Sequence, residues 1–276
     1  MLCTNKWRLP AIFGLVLCLA ACGANYHYEE ASKLEKQGLF LKAAAYYKIF
    51  ADRNPRDARA PDAIFKAAEI YSKNFCLCHK SKPLFERLLK NYPDTPLRDA
   101  AMKGLFVCPD YFPIDKRQVW TYGDSETGGD NASQETRVLE LKTGGEAVTG
   151  TTLYAGSVVV SKQTKTYRFL NNELIETQSG FDTIVLRYPV EKGRAWTSVS
   201  AGRKVVFTVQ AAGLKVKVLA GEFENCIKVK QQMEGLPSWL YEYYAPWTGK
   251  ILTAVAGEGY ENRVMELLKY EETQKN

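Results

Sequence analysis

The sequence predicts an α+β protein in which N-terminal α-helical hairpins are followed by a mainly antiparallel, curved β-sheet domain. Three observations carry this expectation. From Tyr28 to Lys103 the chain is rich in Ala, Leu, Lys and Glu, with apolar residues at helical spacing. After Pro109, Val, Thr, Tyr and Gly rise, and short alternating stretches lie between turn residues. The first residues fit neither pattern: Lys6 and Arg8 precede an apolar run from Leu9 to Leu19, then Ala20-Ala21-Cys22-Gly23. The expected division is a removable leader over residues 1–21, a tether over 22–27, a helical domain over 28–108, a β domain over 111–270 and a tail over 271–276.

A positive start, a short apolar run and small residues before a cut site form a secretory signal. The run is too short to span a bilayer, which takes roughly 20 apolar residues. Leu19-Ala20-Ala21-Cys22 resembles the bacterial lipobox. That resemblance implies cleavage between Ala21 and Cys22 and acylation of the Cys22 sulfur and of its new amino terminus. Two or more acyl chains hold a protein stably on a membrane, where one binds only marginally. Gly23 follows the cysteine where an acidic residue would redirect sorting. Similarity to enterobacterial sorting therefore implies the periplasmic face of the outer membrane.

The net charge of +6 falls to +4 once Lys6 and Arg8 leave with the signal, and no Lys/Arg block stands out. Nucleic acid is therefore not an expected partner. Cys3 and Cys18 also leave, and Cys22 is taken by lipid, so Cys76, Cys78, Cys108 and Cys226 remain. An oxidising compartment favours one disulfide, from Cys76 or Cys78 to Cys108. The competing reading is a metal site on Cys76-Leu77-Cys78-His79. Its spacing is tighter than the usual two-residue gap between zinc cysteines, and no second ligand cluster follows. No metal and no cofactor are expected.

In the helical half, Ala31, Leu34 and Gly38 lead to Phe40, Ala43, Tyr47, Phe50 and Pro55. Small residues at Ala31 and Ala43 let two helices approach, Tyr47 and Phe50 fill the space between them, and Pro55 closes the second. The pattern returns with Ala68, Tyr71, Phe85, Leu88 and Pro93, and Pro61 stands near a helix start. Lys80 or Ser81 occupies the place of the matching small residue. Pro96 to Phe106 reads as a closing helix over the open end. This order of small, aromatic and proline positions resembles the tetratricopeptide repeat. An acylated cysteine followed at once by such repeats is similar to the BamD family of envelope lipoproteins, over residues 22 to about 108 and with fewer repeats than that family carries. The resemblance implies a membrane-tethered platform whose repeat groove docks envelope proteins.

In the second half, expected strands include Thr136–Lys142, Val158–Val160, Lys165–Phe169, Thr183–Arg187, Lys204–Val209, Lys215–Leu219, Cys226–Gln232 and Trp239–Tyr244. Asn171-Asn172, Gly180-Phe181 and Gly221-Glu222 mark turns, and Gly128–Asn131 reads as a mobile loop. The expectation is one antiparallel sheet of eight or so strands, bent into a half-barrel or folded into a two-layer sandwich. Two segments echo each other. Phe112-Pro113 leads to Trp120, and Tyr188-Pro189 leads to Trp196, at the same proline-to-tryptophan spacing. The echo suggests two similar sheet halves or a reused structural turn. These segments, with the Gly221-x-Phe223-x-x-Cys226 strand start and the Tyr243-Tyr244-Ala245-Pro246-x-x-Gly249 turn, resemble an uncharacterised family of secreted bacterial β domains. By looser analogy, its sheet is similar to that of periplasmic lipoprotein carriers. That likeness implies, as an alternative function, a lipid or lipoprotein carrier with the curved sheet as its cavity.

The chain has two histidines, His27 and His79, and neither has triad partners nearby in sequence. No phosphate loop and no His-Glu-x-x-His appears. Glu222 and Glu224 read as solvated charge, and Cys226 as a buried small residue lacking an activating base. No enzyme is expected. Alternation places Trp239, Tyr241 and Tyr243 on one face of a strand, either as sheet core or as an exposed aromatic face for a ligand. The leading expectation is a membrane-anchored periplasmic scaffold in envelope assembly or maintenance.

Overall fold

The computed structural model describes residues 26–114, 117–200 and 202–272. The signal over residues 1–21, the Ala21–Cys22 cleavage and lipidation site, and the tether up to residue 25 lie outside these residues. The chain divides into two compact units, residues 1–108 and 109–276.

Among its described residues the first unit holds five α-helices: α1 over 26–36, α2 Phe40–Arg53, α3 Ala60–Glu69, α4 Cys78–Asn91 and α5 Arg98–Phe106. Helix α1 thus takes in Tyr26 and His27, two residues expected in the tether. It ends at Gly38, whose φ of +74° suits a residue without Cβ, and the Leu39 N–H returns to the Leu34 carbonyl at 2.9 Å. Pro55 and Pro93 follow the ends of α2 and α4. Helix α3 has Pro61 in its first turn and runs on into a wider π turn, Ile70–Asn74.

One core joins these helices. Ala31, Ala43, Tyr47, Phe50, Ala68 and Leu88 are all fully buried in it, with Phe40 and Tyr71 packed on its edge. Tyr47 is its polar centre, donating to Glu35 at 2.7 Å and accepting from Lys66 at 3.3 Å. Ser81 is also fully buried. Gly104 of α5 lies against Phe85, whose ring atoms would sit 2.3–2.8 Å from an added Cβ. A disulfide joins Cys78, at the start of α4, to Cys108, just after α5, across a sequence separation of 30. Closing a loop of that length stabilises by about 3–4 kcal/mol in the chain-entropy description. Cys76 is exposed.

The second unit is a single antiparallel sheet of twelve strands: β1 Gln118–Asp124, β2 Ala132–Lys142, β3 Glu146–Ala155, β4 Val158–Leu170, β5 Glu173–Gln178, β6 Phe181–Arg187, β7 Ala195–Ser200, β8 Arg203–Val218, β9 Gly221–Met233, β10 Trp239–Ala245, β11 Gly249–Gly257 and β12 Tyr260–Glu272. Their order is β6-β5-β4-β3-β2-β1-β12-β11-β10-β9-β8-β7. Two six-stranded meanders, β1–β6 and β7–β12, are therefore joined by the β1–β12 pair. The tryptophans of the two echo segments sit in β1 and β7, the first strand of each meander.

The outermost strands face each other and nearly close the sheet into a barrel. Side chains, in place of a backbone ladder, bridge this seam. Thr183 Oγ1 donates to the Val199 carbonyl at 2.7 Å, the Ile184 N–H to Ser198 Oγ at 2.7 Å, and Trp196 Nε1 to the Ile184 carbonyl at 2.8 Å. The expected half-barrel or sandwich of eight strands is thus corrected to a nearly closed barrel of twelve.

Two of the expected strand pairs are single strands. Val158–Val160 and Lys165–Phe169 both belong to β4. Lys204–Val209 and Lys215–Leu219 are joined through the register shifts of β8 at Ala211 and Leu214, apart from Leu219 itself, which follows the strand. Asn171 and Asn172, with φ of 50° and 63°, form the two-residue β4–β5 turn that a right-twisted hairpin favours. The loop after β1, expected to be mobile, is tied down by Asp124. Its carboxylate accepts from the Thr127 hydroxyl at 2.6 Å, the Thr127 N–H at 2.8 Å and the Ala132 N–H at 3.1 Å. These bonds hold the Asp124 carboxyl well below the usual range. Strand β12 continues through Glu272 against Gln118, so residues 271 and 272 belong to the sheet and not to a tail.

Candidate functional site

The inward faces of the second unit's strands enclose a cavity of about 570 Å³. Alternation along a strand decides which residues line it. Trp120 and Tyr122 of β1, Gln163, Lys165 and Tyr167 of β4, and Glu242 and Tyr244 of β10 all face inward. The interior is therefore polar as well as aromatic. Its floor is crossed by Phe112, whose ring centroid lies 4.9 Å from Tyr167 and 6.3 Å from both Trp120 and Tyr244. Just before it, the Phe112 N–H donates to Asp110 Oδ1 at 2.8 Å, and Tyr188 donates to the same oxygen at 3.1 Å. The Tyr111 N–H in turn donates to the Tyr188 hydroxyl at 3.1 Å, so the two echo segments meet beneath the lumen.

Two ion pairs stand on this floor. Lys165 meets Glu176 at 2.8 Å, and Lys250 meets Glu242 at 3.0 Å. Tyr167 donates to Glu176 at 2.6 Å, Tyr244 donates to Glu242, and Tyr122 donates to the Lys250 carbonyl at 3.0 Å. Burial raises the Tyr122, Tyr167 and Tyr244 hydroxyls well above the usual phenol range. For Glu242, burial alone would raise the carboxyl, but Lys250 and the Tyr244 hydroxyl outweigh it and hold it below its ordinary value. For Lys250, burial would lower the ammonium, and Glu242 more than reverses that. Higher on the wall, Gln178 donates to Gln163 at 2.9 Å, Gln134 donates to Thr136 at 3.2 Å, and Thr136 meets Thr151 at 3.0 Å.

The aromatic residues expected as core or ligand face divide between the cavity and the outer side of the sheet. Tyr241 and Tyr243 alternate with the inward Leu240, Glu242 and Tyr244, so they project from the outer side of β10, while Trp239, at the strand's start, also lines the cavity; all three are half-buried. Lys230 Nζ sits 3.7 Å from the Trp239 ring centroid, and Lys228 Nζ sits 3.8 Å from that of Tyr241. The ammonium groups of these two lysines therefore lie over the Tyr241 and Trp239 rings. Glu222 and Glu224 are exposed and share Lys215, at 2.7 and 3.9 Å. Cys226 is buried, and burial pushes its thiol up to about 11. Among the described residues, no three His, Cys, Asp or Glu side chains gather as a metal-ligand group. The floor residues Lys165, Glu176, Glu242 and Lys250 were not singled out in the sequence. One signal pointed to them: Glu242 sits between Tyr241 and Tyr243, in phase with Tyr244, on the face opposite the aromatic stripe.

No protein-family model and no curated protein matches the chain. Two solved structures are similar to it. One, from Bacteroides fragilis NCTC 9343, is designated an exported protein with a YmcC-like fold. The alignment covers 60% of this chain and 100% of that one, at 15% identity and a TM-score of 0.44. The other, from Parabacteroides distasonis ATCC 8503, is designated a lipoprotein. There the alignment covers 58% of this chain and 98% of that one, at 14% identity and a TM-score of 0.39.

Proposed function

We propose that this protein is a lipoprotein held through Cys22 at the periplasmic face of the outer membrane, where it serves as a non-catalytic interaction scaffold. Its helical unit, built as two tetratricopeptide-like helix pairs and a closing helix, docks an envelope protein. Its β unit is a binding module. The observation that carries the docking role is on α2. Ala43, Ala44, Tyr47 and Phe50 of this helix are buried, while Leu41, Ala45 and Ile49, four residues apart, form an exposed apolar line along the opposite side. The sequence led to the repeat groove as the expected docking surface; the exposed apolar residues of α2 favour the outer side of the second helix instead. An amphipathic helix or extended segment of an envelope protein fits such a line.

The test uses Leu41→Glu with Ile49→Glu in the full-length protein. The expected result is at least a tenfold loss of co-purified envelope protein, with the circular dichroism spectrum and Tm unchanged. Undiminished capture of the same partner would contradict the docking role.

The cavity favours a second reading, that of a carrier. Its lining limits the cargo, because an acyl chain would cover the amides of Gln134, Gln163, Gln178 and Gln231 and give their remaining donors and acceptors nothing to bond. A carrier of this construction takes polar cargo.

A further inference from the structure

We infer that the lumen of the β unit binds an uncharged, hydroxyl-rich ligand, an oligosaccharide by chemical class. This rests on reading the β unit as a binding module and goes beyond it by naming what is bound.

Charge is the first argument. Lys165, Glu176, Glu242 and Lys250 are the charged residues among those lining the cavity, and they are matched two against two. A cation or an anion entering the lumen would meet no net charge and would have to displace a partner already seated. Both pairs are also tied by tyrosine hydroxyls, from Tyr167 and Tyr244, so the floor is a settled network and not a vacant ion site.

The wall is the second argument. Gln134, Gln163, Gln178 and Gln231 all line the cavity. A side-chain amide offers two donors and an acceptor oxygen with two lone pairs. The Gln178–Gln163 and Gln134–Thr136 bonds use a small part of that capacity. Planar amides recognise vicinal hydroxyls by donating to one and accepting from the next. An alkyl chain matches none of them.

The third argument is the combination of these amides with ring faces. Phe112, Trp120 and Phe207 line the same space. A pyranose presents C–H bonds on its faces and hydroxyls around its edge, so it can stack on rings while its edge meets amides. The cavity volume of about 570 Å³ also falls in the range of small-ligand sites, roughly 300–1,000 Å³.

The test titrates the mature full-length protein with maltohexaose, cellohexaose and chitohexaose, followed by calorimetry and tryptophan fluorescence. Cis-parinaric acid serves as an acyl probe in parallel. The expected result is saturable one-site binding of at least one oligosaccharide. Gln163→Leu should weaken it tenfold or more, and Tyr241→Ala, on the outer side of β10, should leave it unchanged. If Tyr241→Ala abolishes binding and Gln163→Leu does not, the sugar sits on the outer aromatic face and the inference fails. If cis-parinaric acid binds and no oligosaccharide does, the binding-module reading stands and the ligand class is wrong. If nothing binds, both fall.

Discussion

Phe85→Ala is expected to destabilise the helical unit by about 3–5 kcal/mol, the cost of emptying a fully enclosed aromatic site. Phe85 is 1% exposed and meets Phe65 of α3 edge-on at 5.9 Å. Its other side is covered by α5, where Gly104 leaves room for the ring and nothing larger fits. Removing the ring therefore opens a void shared by three helices, and the disulfide from Cys78 to Cys108 limits how far α4 and α5 can collapse into it. For a unit of this size the loss corresponds to a Tm decrease on the order of 20 °C. Thermal unfolding followed at the helical signal checks it, with Phe85→Leu as the milder control. A decrease of only a few degrees for Phe85→Ala would show that the site relaxes, and that the three helices are not locked around this ring.

The second large effect belongs to the barrel floor. Glu242→Gln keeps the shape of the side chain but leaves the Lys250 ammonium without its carboxylate, at a cost of about 3 kcal/mol. Adding Lys250→Met should recover most of that loss, because the pair as a whole contributes little beyond its own desolvation. The pH dependence follows from the directions of the two shifts. Glu242 has a folded pKa below its unfolded one, so its contribution is complete above the unfolded carboxyl value and disappears as pH falls through the folded one. Lys250 has a folded pKa above its unfolded one, so its contribution is complete below the unfolded lysine value and disappears as pH rises through the folded one. The pair is therefore at full strength through neutral pH. Urea midpoints between pH 3 and pH 7 should fall more steeply toward acid in the wild type than in Glu242→Gln. Parallel curves would mean that Glu242 does not carry this part of the acid sensitivity.

The helical half was legible because its signals are local. Ala31, Ala43 and Tyr47 recur at helical spacing and all face one core, and Gly38, Pro55 and Pro93 mark ends that the backbone respects. The exposed line on α2 was not found, since a groove was expected from the repeat resemblance and Leu41 and Ile49 read as ordinary helix residues.

The sheet was harder for a physical reason. Strand reading looks for apolar residues alternating with polar ones, but the lumen is itself polar. In β4 the inward Gln163, Lys165 and Tyr167 alternate with the polar Lys162, Thr164 and Thr166, so the middle of a long strand reads as a gap. Strand β12, with Arg263, Met265, Glu266, Leu267 and Leu268, has a helix-like composition and is extended only because β1 and β11 flank it. The phase of β10 was assigned to its aromatic side, which is why the charged floor on the other side escaped notice. The proline-to-tryptophan echo survived these difficulties because it marks strand starts, where Trp120 and Trp196 are both buried.

We propose that this protein works from a membrane to which Cys22 attaches it. Fractionation of cells making the wild type or Cys22→Ser, with mass analysis of the mature amino terminus, tests it most directly. Wild type is expected in the outer-membrane fraction with acylated Cys22 as its first residue, and Cys22→Ser as a folded protein released from membranes. Full membrane retention of Cys22→Ser, or a mature wild-type terminus other than Cys22, would contradict it.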